Sequence, residues 1–152
     1  MKKGDKAPDF TLPNQHGEKV ALYELLHDKP VVLFFYPKDH TPGCTKEACA
    51  FRDSYEIFKD AGAEVVGISS DGPESHKQFA QKHRLPYQLL SDRTGRVRKL
   101  MGVPKTLGLL PGRVTYVVDR QGQIRHVFNS QFNFGKHIDE ALKTVQSLKA
   151  EK

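Results

Sequence analysis

A chain of 152 residues with 38% hydrophobic side chains has the length and apolar content of about one globular domain, and carries no composition typical of disorder. Its formal charge of +6 comes from 24 Lys and Arg scattered among 18 acids, not from a dense basic block with interleaved aromatics, so a solvated surface and no nucleic-acid partner are expected. No apolar run approaches the ~18 residues of a membrane span, the start Met1-Lys2-Lys3-Gly4-Asp5 lacks an apolar secretory core, and two cysteines are too few for a disulfide scaffold.

Two short extended segments, 9–12 and 19–21, flank Pro13-Asn14-Gln15-His16-Gly17 and read as a hairpin. A helical turn is expected over 22–27. The run Val31-Val32-Leu33-Phe34-Phe35-Tyr36 is apolar on both faces, as a buried parallel strand is. Thr41 is the expected N-cap of the next helix, with Pro42 at its first position. Cys44, Ala48, Phe51, Tyr55 and Phe58 then recur at helical spacing, which predicts one helix reaching Lys59 and stopped by Gly62. Val65-Val66-Gly67-Ile68 is a second buried strand and closes a βαβ unit. A helix over 73–83, a strand over 87–90 and a short helix over 96–101 follow. Strands 113–119 and 123–128, turning through Gln121-Gly122, form a hairpin. A last helix carries Ile138, Leu142, Val145 and Leu148 on one face. No repeat or linker interrupts the series, so residues 1–152 are read as a single α/β domain.

Both cysteines lie between Pro37 and Cys49, at the strand-to-helix junction. With Thr41 as N-cap, Pro42, Gly43 and Cys44 are the first three helical residues, and the helix start favours a thiolate over a thiol. Gly43 lets the backbone approach a bound oxygen. Pro37 ends the strand without a donor and shields the sulfur from water. The Thr41 hydroxyl has two compatible uses: accepting from the Cys44 N–H as a cap, or donating to the sulfur or a substrate oxygen. Cys49 lies five residues on, where helix geometry puts the two Cα atoms ~8.7 Å apart. A disulfide needs about 4.4–6.8 Å, so either Cys49 is a partnerless core residue or the first turns must unwind for a bridge to form.

The pattern Pro37-x-x-x-Thr41-x-x-Cys44 resembles the active-site motif of the peroxiredoxins, and Cys44-Thr-Lys-Glu-Ala-Cys49-Ala-Phe51-Arg52-Asp53 is similar to their bacterioferritin-comigratory-protein, or Q, branch. The likeness extends over nearly the whole chain, through Gly4–Leu12, Gly67-Ile68-Ser69, Leu89-Leu90-Ser91-Asp92 and Pro111-Gly112-Arg113-Val114-Thr115-Tyr116-Val117-Val118-Asp119. The resemblance implies a thioredoxin-like fold, a central mixed sheet flanked by helices, with an N-terminal β-hairpin extension. It implies a thiol peroxidase in which Cys44 is peroxidatic, Thr41 and Pro37 are its pocket partners, Arg113 is the active-site arginine, Glu47 the acid that orients it, and Cys49 the resolving cysteine. Thr41, Gly43, Cys44 and Arg113 would bind a hydroperoxide, a Cys44–Cys49 disulfide would form, and thioredoxin or a similar dithiol would reduce it. No cofactor and no metal are implied, and the branch favours a monomer. A cytoplasmic location is expected from the lack of a visible targeting segment, a mature organellar form being left open.

Two rivals have less in the residues to carry them. A thiol–disulfide oxidoreductase uses Cys-x-x-Cys, whereas four residues separate these cysteines. A metal module built on His40, Cys44 and Cys49 matches no standard zinc spacing. Nothing specific supports a holdase. The histidines at 16, 27, 76, 83, 126 and 137 are read as solvent-facing. Tyr36 and Tyr55 are assigned to the core, Phe132 and Phe134 to a partly buried pair, and Lys143, Lys149 and Lys152 to a solvated helix face.

Overall fold

The computed structural model describes residues 1–103, 105–106, 110–131 and 133–150. The chain opens with β1 (Thr11–Pro13) and β2 (Lys19–Ala21), paired antiparallel as the expected hairpin, and α1 (Leu22–Leu26) follows directly. The turn is built by Asn14, whose side-chain oxygen accepts from the His16 and Glu18 N–H groups, and by Gly17, whose φ of +78° favours a residue without a Cβ.

β3 (Val31–Phe35) is the middle strand of a five-stranded sheet. After it come α2 (Pro42–Asp53), α3 (Tyr55–Asp60), β4 (Glu64–Ser69), α4 (Pro73–His83), β5 (Gln88–Ser91) and α5 (Arg96–Leu100). A small two-stranded ladder, β6 (Lys105–Thr106) with β7 (Leu110–Pro111), precedes β8 (Val114–Val118), β9 (Ile124–Asn129) and α6 (Phe134–Ala150). The sheet order is β5-β4-β3-β8-β9. β3, β4 and β5 run parallel, and β8 and β9 are antiparallel additions, so the sheet is mixed.

Two apolar layers follow from the period-2 alternation along the strands. Val32, Phe34 and Tyr36 face α2, α3, α4 and α6, meeting Phe51, Phe58, Phe79 and Val145. Val31, Leu33 and Phe35 face the other side, against Phe10, Leu22, Leu26, Val97 and Met101. Both sets are fully buried, which is why β3 reads as an unbroken apolar run and not as an alternation.

The single helix expected to reach Lys59 is two. Ser54, with φ −102° and ψ 2°, leaves helical angles between α2 and α3, although hydrogen bonds continue on either side of it (Ser54 N–H to Ala50 O, Phe58 N–H to Ser54 O). Serine competes for backbone partners and suits such a joint. The apolar spacing still holds across it, since Phe51, Tyr55 and Phe58 share one buried face. Gly62, at φ +86°, ends α3 as expected, with its N–H on Lys59 O and that of Ala63 on Phe58 O.

Candidate active site

The strand-to-helix junction is where the sequence puts it. β3 ends at Phe35, Tyr36 continues the pairing through its N–H to Ile68 O, and half-buried Pro37 follows. Thr41 stands at the N-cap position with an extended backbone, and Pro42 opens α2. The first helical hydrogen bond is Thr45 N–H to Thr41 O, at 2.9 Å, so the N–H groups of Gly43 and Cys44 precede the intrahelical series. Cys44 is buried at 1% exposure, at the end that carries the helix's partial positive charge.

Thr41 departs from both expected uses. Its hydroxyl donates to Lys38 O at 2.8 Å, and no side-chain cap bond is made to the helix. The loop passes through His40 in a left-handed conformation (φ +65°) before reaching Thr41. With its proton committed to a carbonyl, the Thr41 oxygen retains only acceptor capacity in this state.

Arg113 comes from the start of β8, nearly seventy residues away in sequence, and completes the site. Its Nη2 lies 3.4 Å from the Cys44 sulfur, its Nη1 donates to Glu47 Oε1 at 2.8 Å, and its Nε donates to Gln131 O at 3.0 Å. The Phe134 ring lies 5.0 Å from the guanidinium, which fixes its plane. Phe134 therefore packs on the Arg113 cation, while Phe132 lies outside the described residues. Gly43 leaves the space this requires, because a Cβ there would stand 3.2 Å from Nη2. Burial opposes the Arg113 charge, but Glu47 and Cys44 more than offset it and hold the group above its ordinary value.

Glu47 is fully buried one turn along α2 from Cys44. Burial pushes its carboxyl up to about 7, against the downward pull of Arg113. Its second oxygen, Oε2, has no hydrogen-bond partner and lies 3.7 Å from Nδ1 of His137. His137 is itself fully buried, bonded through Nδ1 to the Thr115 hydroxyl and through Nε2 to Ser130 O, each at 2.7 Å.

The expectation of solvent-facing histidines is thus wrong for His137, and wrong again for His76. His76 packs under the junction loop, with Nδ1 2.7 Å from Asp39 Oδ2 and Nε2 3.0 Å from Leu90 O. Asp39 also accepts from Tyr36 Oη and Ser75 Oγ. Burial works against its carboxylate, but these bonds keep it below the usual carboxyl range. Asp71 supports the same loop by accepting from the Asp39 N–H. Both histidines occupy apolar-face positions of their helices: His76 precedes Phe79 and Ala80 by three and four residues, and His137 precedes Ala141 by four. That spacing is the signal that could have found them. Tyr36 and Tyr55 belong to the core as expected, their hydroxyls bonded to Asp39 and Glu64.

Cys49 is half-buried and Cys44 buried, and both are free thiols on an unbroken α2. Among the described residues, the metal-capable grouping is Asp39, Asp71 and His76, whose atoms are already engaged in hydrogen bonds to one another's surroundings. His40, Cys44 and Cys49 do not form one.

Residues 3–127 match the AhpC/TSA family. The chain is 61% identical over 148 residues to chloroplastic peroxiredoxin Q of Sedum lineare, covering 97% of this chain and 79% of that protein. It is 59% identical over 148 residues to the Arabidopsis thaliana protein of the same name, covering 97% and 68%. Among solved structures, peroxidoxin BcpB from Mycobacterium tuberculosis superposes with a TM-score of 0.91 at 45% identity, over 97% of this chain and 98% of that one. A bacterioferritin comigratory protein of Xanthomonas campestris, described for its alkyl peroxide reduction activity, superposes at 0.83 with 27% identity, over 92% of each. The expected cytoplasmic location is overturned by the curated plant relatives, which are named chloroplastic. The chain belongs to the AhpC/TSA family as a peroxiredoxin of the Q branch, a thiol-dependent peroxidase acting on hydroperoxides with a thioredoxin-type reductant.

Proposed function

We propose that Cys44 is the peroxidatic residue of this enzyme and Cys49 its resolving partner, within one domain spanning 1–152. The observation that carries the assignment is the Arg113 guanidinium 3.4 Å from a buried sulfur at the start of α2. A cation and a helix N-terminus both favour negative charge at that point. The Cys44 thiolate attacks the distal oxygen of a hydroperoxide. The S–O bond forms as the O–O bond breaks, and the departing oxygen takes up from solvent the proton given up when the thiol ionised, leaving as water or an alcohol. Arg113 and the N–H groups at Gly43 and Cys44 stabilise charge as it moves onto the oxygens. Gly43 and Thr41 shape the approach, Thr41 as an acceptor for the hydroperoxide proton, and Pro37 closes the rear of the pocket. Glu47 orients Arg113.

The sulfenic acid then reacts with Cys49. The Cys49 sulfur attacks Cys44, the S–S bond forms, and the hydroxyl leaves as water with the Cys49 proton. Ideal helix geometry separates the two Cα atoms by ~8.7 Å, so α2 unwinds around the pair for this step. An external dithiol of the thioredoxin kind restores both thiols by exchange. The electrons come entirely from thiols, so no cofactor or metal enters. The enzyme works as a monomer, without nucleic acid or a membrane. No helix among the described residues is long and apolar enough to cross one.

Mass spectrometry of peroxide-treated protein tests this reading. A Cys44–Cys49 bridge should appear and be removed by thioredoxin, and Cys44→Ser should abolish peroxide consumption. Retention of consumption by Cys44→Ser would overturn the assignment. An insulin-reduction assay run beside it should give no activity.

A further inference from the structure

Beyond the Arg113–Glu47 pair lies a buried polar chain that the reaction as written does not use. Glu47 Oε1 is taken by Arg113, but Oε2 is fully enclosed, unbonded, and 3.7 Å from His137 Nδ1. The His137 tautomer follows from its partners. Ser130 O can only accept, so Nε2 carries the proton, and Nδ1 offers a lone pair that the Thr115 hydroxyl now occupies. That single lone pair is the acceptor nearest the unbonded carboxylate oxygen, so a proton on Oε2 competes with the Thr115 hydroxyl for it. His137 also reaches Arg113 by a second route: it holds Ser130 O, and the next carbonyl, that of Gln131, accepts from Arg113 Nε.

We propose that Glu47 and His137 hold one exchangeable proton behind Arg113, and that His137 is a positioning residue for the peroxide reaction because it decides how far Glu47 neutralises the guanidinium facing Cys44. With the proton on Oε2, its hydrogen competing with the Thr115 hydroxyl for Nδ1, Glu47 is neutral and the full Arg113 charge acts on the sulfur. Without it, Glu47 is an anion and shares that charge. Glu47 titrates near neutrality, at about 7, because it is buried, and burial holds His137 down at about 4, so the proton resides on the carboxyl. The groups facing the pair are Cys44 on α2, Arg113 and Thr115 at β8, Tyr87 just before β5, and His126 and Phe128 on β9.

The inference rests on Cys44 as the reacting sulfur, and its test reads the pair without peroxide turnover. Two variants are compared with the parent: His137→Gln and Thr115→Val. The amide introduced by His137→Gln still reaches toward Ser130 O, but replaces the Nδ1 acceptor with a group that bonds the anionic carboxylate. The valine of Thr115→Val frees Nδ1 to accept the Glu47 proton. The Glu47 midpoint is followed by carboxyl-carbon NMR on labelled, reduced protein, and Cys44 reactivity by iodoacetamide alkylation at pH 7 with mass spectrometric readout. His137→Gln should lower the midpoint and slow alkylation, and Thr115→Val should raise the midpoint and speed alkylation. About threefold in each direction is expected, the effect of about half a pH unit. Opposite signs are a signature that simple loss of packing does not give. Midpoints unchanged in both variants, or moved in the same direction, would overturn the proposal. If His137→Gln fails to fold, His137→Asn takes its place and its sign is compared with that of Thr115→Val in the same way. Failure of the Cys44 assignment shows separately, as peroxide consumption retained by Cys44→Ser with the NMR titrations of the parent intact.

Discussion

Replacing Glu47 with Gln should make the protein more stable at alkaline pH. The carboxyl sits on the buried face of α2 with one partner, Arg113, and one unbonded oxygen. Burial raises it from 4.5 to about 7. A carboxyl with a folded-state value above its unfolded value binds its proton more tightly in the folded chain. Its contribution to stability is therefore complete below 4.5, declines as pH rises through the interval, and is lost above about 7. At about 1.4 kcal/mol per pH unit, the full interval corresponds to roughly 3 kcal/mol. Gln has the shape of the neutral acid and cannot ionise. Parent and Glu47→Gln should thus be nearly matched at acid pH, and the variant should gain about 2.5 kcal/mol relative to the parent between pH 5 and pH 8. Urea unfolding of both reduced proteins at a series of pH values measures the gap. A gap that stays constant across the series would show that Glu47 does not titrate in this window, and the reasoning from its burial would fail. In the same variant the Arg113 guanidinium loses its anionic partner, so its charge acts undivided on the Cys44 sulfur, and alkylation of that sulfur at pH 7 should be no slower than in the parent.

Three other perturbations probe the frame around the site. Cys49→Ser should allow one fast oxidation by peroxide and then stop thioredoxin-linked turnover, which coupled reductase assays separate from the first turnover. Gly67→Ala should cost about 1–3 kcal/mol in urea unfolding, because a Cβ at that point of β4 would meet Phe34 Cζ at 2.8 Å and Leu89 Cδ2 at 2.9 Å. Tyr87→Phe removes a 2.6 Å bond from the Tyr87 hydroxyl to Ala48 O. It should lower stability by about 1 kcal/mol and accelerate amide exchange over residues 43–52.

Elements whose side chains all answer to one rule were legible. β3 and β4 read as apolar runs because both their faces are buried, and the N-terminal hairpin reads through Asn14 and Gly17, which act locally. The junction was equally open to reading, since Thr41, Pro42, Gly43 and Cys44 are consecutive and a helix start is a local event. What escaped was set by contacts between distant segments. The Thr41 hydroxyl turns to Lys38 O because of how the intervening loop curls, and the spacing of the motif does not specify that curl. His137 and His76 are polar residues on apolar faces, and each is tolerated there because groups from other strands and loops satisfy both ring nitrogens: the Asp39 carboxylate and Leu90 O for His76, the Thr115 hydroxyl and Ser130 O for His137. Without those partners in view, a histidine on a helix is read as exposed. Glu47 and Arg113 were placed through the family resemblance, and neither the length of their separation nor their charge would have paired them otherwise.

The helix that presents Cys44 meets opposed demands on the proposed mechanism. It must be formed to aim its N–H groups at the sulfur, and it must come apart for Cys49 to reach that sulfur. Its ends are weakly held: Thr41 makes no side-chain cap, and Ser54 breaks the run before α3. Its middle is held from outside. Tyr87 bonds Ala48 O, Phe51 stacks on Phe34 at 4.4 Å, and Arg52 Nη1 donates to His83 O at 2.7 Å. These three attachments lie immediately before and just after Cys49, while the segment from Pro42 to Thr45 bears on Arg113 through Cys44. Oxidation converts the Cys44 sulfur from a thiolate, which Arg113 attracts, into a neutral sulfenic acid, which it attracts far less. The interaction that holds the first turn is thereby weakened by the chemistry itself, so unwinding should begin at the Cys44 end and run toward Ala48, leaving the Phe51 contact in place.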